Sequence, residues 1–239
     1  MKTTSHGQYL IQLTRLGAFN CYFVREDDGL TLIDTDLPGS AQAILAAARE
    51  LGAPIVRIGL THAHGDHVGS LDALRAALPE AQIAITARDA RFLAGERSLD
   101  PDEPQAKLRG SYQTCKTQPT VLLADGDRFG SLEVVAAPGH TPGHAAFLDL
   151  RDRTLIAGDA FQTQGGVAVA GTFRLLFPFP AVATWHKPTA LQSARRLRAL
   201  DPVCLAVGHG PVLADPLPAM DQAIAVAARS IGEAQHHAA

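Results

Sequence analysis

The stretch Thr61-His62-Ala63-His64-Gly65-Asp66-His67-Val68-Gly69 decides the reading of this chain. It follows a compact apolar run over 55–60 that fits a buried strand, and it precedes a helical pattern over 71–78. Residues two apart on an extended segment project to the same side, so His62 and His64 converge on one point. Asp66 and His67, at the turn into the helix, face a second point nearby. Imidazole and carboxylate are donors that zinc and similar divalent ions accept. Shuffling this composition would give H-x-H-x-D-H in only about one chain per thousand, so a merely solvated His-rich loop is a poor alternative.

Three later segments end apolar runs in the same manner. They are Pro138-Gly139-His140-Thr141-Pro142-Gly143-His144, Ala157-Gly158-Asp159-Ala160 and Gly208-His209-Gly210. Each sets a His or Asp beside glycine, which lets backbone approach closely. Around them, strand signals fall at 9–13, 18–24, 30–33, 83–85, 121–123, 132–136, 145–150, 154–156 and 203–207. Helical signals fall at 41–51, with Ser40 as cap and Gly52 as stop, and at 189–200 and 218–233. Two rounds of strands followed by helices predict layered sheets with helices outside. The polar segment 95–120, with Pro101, Pro104 and Pro119, is either a surface excursion or a lid. The Gly-, Phe- and Pro-rich stretch up to Pro188 resists assignment.

The 239 residues are 46% apolar and 19% charged, enough to bury a substantial core. No linker or short repeat divides them, so a single domain over 1–239 is expected. With 21 Lys+Arg against 24 Asp+Glu the net charge is −3. A protein that lives on nucleic-acid phosphates carries a basic surplus, so no nucleic-acid partner is expected. No apolar run reaches the roughly 18 residues of a membrane helix, and the start lacks the pattern of a secretory signal. The expected address is cytoplasmic, with no membrane partner. Cys21, Cys115 and Cys204 are odd in number and contain no C-x-x-C pair, which leaves them as small buried hydrophobes. A small-molecule substrate is the expected partner; a homodimer is left open.

In order and spacing, H-x-H-x-D-H, PGHTPGH, GD and GHG resemble the metallo-β-lactamase superfamily. Asn20-Cys21 and Leu32-Ile33-Asp34-Thr35 resemble its N-terminal half, so the likeness spans nearly the whole chain. The resemblance implies an α+β fold, a four-layer αβ/βα sandwich of two mixed sheets with helices outside. It implies His62, His64 and His140 on one metal, Asp66, His67 and His209 on a second, and Asp159 bridging both. It implies a metal-dependent hydrolase with two divalent ions, zinc foremost and iron or manganese as alternatives, in which a metal-bridged hydroxide attacks a carbonyl. Two cations about 3.5–4 Å apart acidify a shared water. Asp66, a ligand with a free oxygen, is then the candidate catalytic residue that carries a proton to the leaving group. His144 and Asp34 read as residues that orient ligands. His6, His236 and His237 read as solvated tail residues, His186 as a surface or capping residue, and Arg195, Arg196 and Arg198 as a solvated helix face.

Departures from particular branches narrow the reaction. His64 stands where flavodiiron-type relatives carry glutamate. The stretch after Asp159, Ala160-Phe161-Gln162-Thr163-Gln164-Gly165-Gly166, lacks the GCGR-like element of glyoxalase II and of persulfide-oxidising relatives. The single helix expected after His209 leaves little room for a glutathione-binding tail. Lactonases carry a tyrosine near the position of Phe161 or Gln162, and nuclease branches add a domain or basic exosite. The expected substrate is a small ester, lactone or thioester. The alternative is a mononuclear non-haem iron oxidoreductase resembling persulfide dioxygenases, and a phosphodiesterase or nuclease ranks below both. Phe161, Phe173, Phe177, Phe179 and Trp185 cluster in sequence and either form a substrate-binding wall or staple a long loop to the core.

Overall fold

Antiparallel hairpins give way to parallel crossovers in the N-terminal half. β1 (Lys2–His6), β2 (Leu10–Arg15), β3 (Phe19–Glu26) and β4 (Gly29–Ile33) pair antiparallel in sequence order. β5 (Ile55–Gly59), β6 (Gln82–Thr86) and β7 (Val121–Leu123) extend the same seven-stranded sheet in parallel. The crossovers carry α1 (Ala41–Glu50), the single turn α2 (Gly65–Val68), α3 (Leu71–Ala77) and α4 (Ala87–Leu93). The structure is a computed structural model that describes residues 1–236, with side chains through Gly232. The expectation for His236 and His237 falls on side chains outside that description.

A six-stranded sheet follows. Its strands are β8 (Arg128–Phe129), β9 (Leu132–Ala136), β10 (Ala145–Asp149), β11 (Thr154–Ile156), β14 (Cys204–Ala206) and β15 (Leu213–Ala214), in the order β15-β14-β11-β10-β9-β8. Only β11 and β14 pair in parallel. Their crossover holds a two-stranded ribbon, β12 (Phe161–Gln162) with β13 (Ala168–Val169), then α5 (Phe179–Ala183) and α6 (Lys187–Arg198). α7 (Leu217–His236) closes the described chain.

Period-two alternation sorts the strands' side chains between layers. On β3, Cys21 and Phe23 join the core beneath α1, α3 and α4, whereas Tyr22 and Val24 join the core between the sheets. On β10, Ala145 and Phe147 face that central core, whereas Ala146 and Leu148 pack under α6 and α7. The outcome is helices, sheet, sheet, helices, the four layers expected.

Several short elements escaped the pattern reading: β1, α2, α4, α5, β8, β15 and the β12–β13 ribbon. β1 reads Lys-Thr-Thr-Ser-His because it is an edge strand, which natural sheets keep polar. Helix α6 starts two residues before the expected boundary, since Pro188 fits the first turn, where no donor is needed. His186 occupies its N-cap position, with its ring on the Thr189 hydroxyl at 2.7 Å. Ser40 does precede α1, yet its hydroxyl makes no cap; it receives Arg15 at 2.8 Å instead. Segment 95–120 has no helix or strand, but it is tied down: Arg88 meets Glu103 at 2.6 Å, Arg91 meets Asp100 at 2.6 Å, and Trp185 donates to the Ala106 carbonyl at 3.1 Å.

Candidate metal centre

His62 and His64 leave the end of β5 on extended backbone, and α2 begins at the next residue, turning Asp66 and His67 inward. The second sheet supplies His140 from the β9–β10 turn, Asp159 from the turn after β11, and His209 from the loop after β14. Two backbone bonds lock the halves together at this edge, Ala145 N–H to the Thr61 carbonyl at 2.9 Å and Asn20 N–H to the Gly208 carbonyl at 2.9 Å. All seven residues expected to ligate metal therefore meet in one place. Their donor atoms form three overlapping sets, each within 4.8 Å: His62, His64 and His140; His62, His67 and Asp159; Asp66, His67 and His209.

Asp159 spans the sets. Its Oδ1 lies 3.4 Å from His67 Nε2, while its Oδ2 lies 3.3 Å from His140 Nε2 and 3.2 Å from His209 Nε2. Asp66 Oδ2 lies 3.3 Å from His209 Nε2, and Asp66 alone of the seven is partly open to solvent. Gly208 has to be glycine, because a Cβ there would lie 2.6 Å from His67 Cε1 and would overlap the Asp159 carboxylate.

Outward hydrogen bonds set the tautomer of each imidazole. His67 Nδ1 donates to Asp34 Oδ2 at 2.7 Å, and His209 Nδ1 to the Ala18 carbonyl at 3.2 Å. The Thr61 hydroxyl donates to Asp34 at 2.8 Å and so accepts from His62 Nδ1 at 2.9 Å. Likewise the Thr184 hydroxyl donates to the Pro180 carbonyl at 2.6 Å and accepts from His140 Nδ1 at 3.1 Å. His64 is reversed, with Nε2 on the Arg109 carbonyl at 3.0 Å and Nδ1 facing His140. In every case the other nitrogen points inward, and buried His62 Nε2, His67 Nε2 and Asp159 Oδ1 have no hydrogen-bond partner. Buried polar atoms are normally satisfied, so these orphaned donor atoms fit a bound cation.

The electrostatics agree. Burial, with the neighbouring imidazoles, holds His62 well below the usual histidine range; burial likewise holds His140 well below it and His64 down at about 4. Burial also opposes charge on His67 and His209, but Asp159 with Asp34 and Asp66 overrides it for His67, pushing it well up. Asp159 and Asp66 do the same for His209, raising it to about 9. Burial pushes the Asp66 and Asp159 carboxyls up, yet His67 and His209 outweigh it and hold both well down.

Asp34 and His144 act on ligands, as expected. Asp34 accepts Thr61 N–H at 2.8 Å besides the Thr61 hydroxyl and His67. His144 Nε2 accepts Asp159 N–H at 3.1 Å, fixing the backbone of the central carboxylate. A further positioning residue lies on α4, outside the reach of motif reading. Fully buried Asp89 accepts Ala63 N–H at 3.0 Å, the Thr141 hydroxyl at 2.8 Å and Gly143 N–H at 2.7 Å, clamping both histidine loops at once. Asn20 and Tyr22 perform a comparable task on the third loop, donating to the Val207 carbonyl at 3.0 and 2.6 Å.

The cluster floors a cleft of about 470 Å³. Phe19, Leu37, Pro38, Phe179, Pro180 and Val182 form an apolar wall, Gly110, Ser111 and Gln113 border the cleft as well, and among the described residues no Lys or Arg lines it. Segment 95–120 thus supplies part of the cleft. The aromatic expectation needs correction at four of five positions. Phe161 is wholly buried beneath α6 and α7, because β12 turns it into the outer core. Trp185 is buried and spent on the Ala106 carbonyl. Phe173 is exposed but outside the cleft lining. Phe177 is buried behind the wall, its ring 5.1 Å from that of His209 and 5.2 Å from that of Phe179. Phe179 alone lines the cleft. Phe19 and Leu37 went unnoticed because a single apolar residue at the start of a strand or in a loop carries no distinguishing signal.

A profile described as the Metallo-beta-lactamase superfamily matches residues 15–209. The chain is 50% identical over 228 residues to "Uncharacterized protein YobT" of Bacillus subtilis, covering 94% of this chain and 97% of that one. It is 35% identical over 179 residues to a hydroxyacylglutathione hydrolase of Cereibacter sphaeroides, covering 73% of this chain and 55% of that longer protein. Among solved structures, TTHA1623 in a di-iron-bound form superposes with a TM-score of 0.64 at 29% identity, covering 89% and 97% of the two chains. DIM-1 metallo-β-lactamase gives 0.72 at 13% identity, covering 96% and 97%, a likeness of fold alone. Ligand geometry, four-layer fold and sequence relatives converge: this chain belongs to the metallo-β-lactamase superfamily and is a metal-dependent hydrolase.

Proposed function

We propose that the enzyme hydrolyses a small ester, lactone or thioester, using two divalent cations. His62, His64 and His140 would hold one, Asp66, His67 and His209 the other, and Asp159 both. The observation that carries this reading is the set of five imidazoles whose outward nitrogens are all engaged while their inward nitrogens converge on two carboxylates. When bound, such a pair supplies an acidified water and polarises a carbonyl oxygen. The chain's own residues do the rest. Asp66, which lines the cleft, meets His209 and His67 through Oδ2, which leaves Oδ1 to take a proton and pass it to the departing oxygen or sulfur. Phe179, Val182 and Leu37 give an apolar acyl group a dry surface and exclude water from the reacting carbon.

The apolar wall of the cleft suits a small carbonyl compound better than the charged backbone of a phosphodiester. Zinc is the ion proposed, acting in a single cytoplasmic domain; the three cysteines, all free, suit a reducing compartment. The test is a panel of lactones, thioesters, aryl esters and phosphodiesters, run with metal-loaded protein and an Asp159→Asn control. Turnover of one carbonyl class that disappears in the control is expected. Phosphodiester turnover, or oxygen consumption without hydrolysis, would replace this reading.

A further inference from the structure

Gly110 and Ser111 border two cavities. One is the catalytic cleft; the other is a shallower groove of about 540 Å³ whose walls include Arg97, Lys107 and Tyr112. Gly110 forms the saddle between them. Its φ of +88° and its closeness to His64, whose Cε1 would lie 2.5 Å from a Cβ, keep a side chain from standing in the passage. The groove therefore starts one residue away from a proposed metal ligand.

Its charge is uncompensated. Arg88 and Arg91, on the neighbouring helix, are each paired with carboxylates of 96–103. The two basic residues of the groove, Arg97 and Lys107, form no ion pair among the described residues, although the chain as a whole is acidic. Arg97 is held in place by uncharged acceptors: its Nη1 donates to the Phe92 and Glu96 carbonyls, its Nη2 to the Tyr112 carbonyl and the Thr114 hydroxyl, and its guanidinium lies 5.2 Å from the Tyr112 ring centre. Its terminal donors are spent on the protein, so what it offers the groove is a fixed positive charge without a counter-ion, which attracts a carboxylate.

We propose that this groove seats a carboxylate on the same molecule whose carbonyl is cleaved in the adjoining cleft. The natural substrate is then a carboxylate-bearing ester, lactone or thioester, with its apolar part against Phe179 and its anionic group across Gly110. This rests on the hydrolase reading above and narrows its substrate class.

Three matched esters test it: phenyl butyrate, monophenyl succinate with the carboxylate on the acyl side, and 3-butyryloxybenzoate with it on the leaving group. At low ionic strength one of the two charged esters is expected to show a KM about 10-fold below that of the neutral one, an advantage that shrinks near 0.15 M salt. Lys107→Ala should raise the KM of that ester about 3- to 10-fold with kcat unchanged, and should leave phenyl butyrate untouched. Arg97→Gln, which removes the charge, should raise it as well. Equal KM values for all three esters, or a preference insensitive to both substitutions, would overturn the proposal while leaving the hydrolase reading intact. If none is hydrolysed, the ester form of the substrate fails while lactones and thioesters stand, and calorimetric binding of 3-butyryloxybenzoate decides the groove alone. Binding weakened by Lys107→Ala and by salt supports the groove; absent or charge-independent binding overturns it.

Discussion

Replacing Asp34 with Asn separates the two tasks of that carboxylate. Oδ1 accepts Thr61 N–H at 2.8 Å, while Oδ2 accepts both the Thr61 hydroxyl at 2.8 Å and His67 Nδ1–H at 2.7 Å. An amide keeps one acceptor and turns the other into a donor, so one of two conflicts must arise. If the new NH2 faces Thr61, a buried backbone N–H loses its partner and the fold is weakened by about 1–3 kcal/mol. If it faces His67, Nδ1 has to become the acceptor, Nε2 takes the proton, and the nitrogen aimed into the cluster is blocked. The same 1–3 kcal/mol then appears in metal binding, as a loss of about 5- to 150-fold. Urea unfolding in chelator measures the first quantity and chelator competition measures the second. A variant within about 0.5 kcal/mol of the parent in stability and within about threefold in affinity would refute the assignment of Asp34.

Metal uptake should release protons and tighten as pH rises toward 9, because His67 and His209 are held protonated by Asp159 and its neighbours in the metal-free cluster; calorimetry in buffers of differing ionisation enthalpy counts the protons. In chelator the same pair gives a stability signature. The His209 contribution, on the order of 3 kcal/mol, is fully present below about pH 6.5 and lost by about 9, since its folded pKa exceeds the unfolded one. Asp89→Ala orphans the Ala63 and Gly143 N–H groups and should destabilise by about 2–5 kcal/mol in urea unfolding. Burial pushes the Asp89 carboxyl up to about 6, so the parent gains stability as pH falls from about 6 to 4, and the gap to the variant must widen over that window. Phe179→Ala should raise KM for apolar substrates several-fold with stability nearly unchanged, whereas Phe177→Ala, which empties a buried site beside His209, should lower stability by about 3 kcal/mol; equal behaviour of the two variants would contradict their different burial.

The ligands were legible because metal chemistry allows few side chains and short spacings, and because each follows an apolar strand that announces itself. The strand over 18–24 was legible as an apolar run, but its division between two cores, Cys21 and Phe23 on one face and Tyr22 and Val24 on the other, was not, because all four residues are apolar. What stayed hidden is set by contacts between residues far apart in sequence. Asp89 sits in Ala-Arg-Asp-Ala-Arg-Phe, a stretch with nothing to mark it, and becomes a clamp only when the chain returns at 141–143. The aromatics misled because hydrophobicity does not say which side of a loop faces the cleft. Phe161 and Phe179 are equally apolar, yet the β12–β13 pairing turns one into the outer core while the Pro178–Pro180 turn presents the other to the cleft.

The seven candidate ligands come from four separate strand ends, and no single element could hold them at fixed separations. Their geometry instead belongs to the interface between the sheets. Ala145 N–H on the Thr61 carbonyl ties the first histidine loop to β10, and Asn20 N–H on the Gly208 carbonyl ties β3 to the His209 loop. Both bonds sit at the rim of the same central core, built from Tyr22, Ile33, Phe147 and Ile156. A substitution that loosens this core, such as Phe147→Ala, has to shift His62 relative to His209 before it exposes any ligand to water. Metal affinity should therefore fall together with stability for central-core variants. For variants in the outer cores, such as Leu74→Ala on the buried face of α3, stability should fall while the affinity of the folded protein is kept.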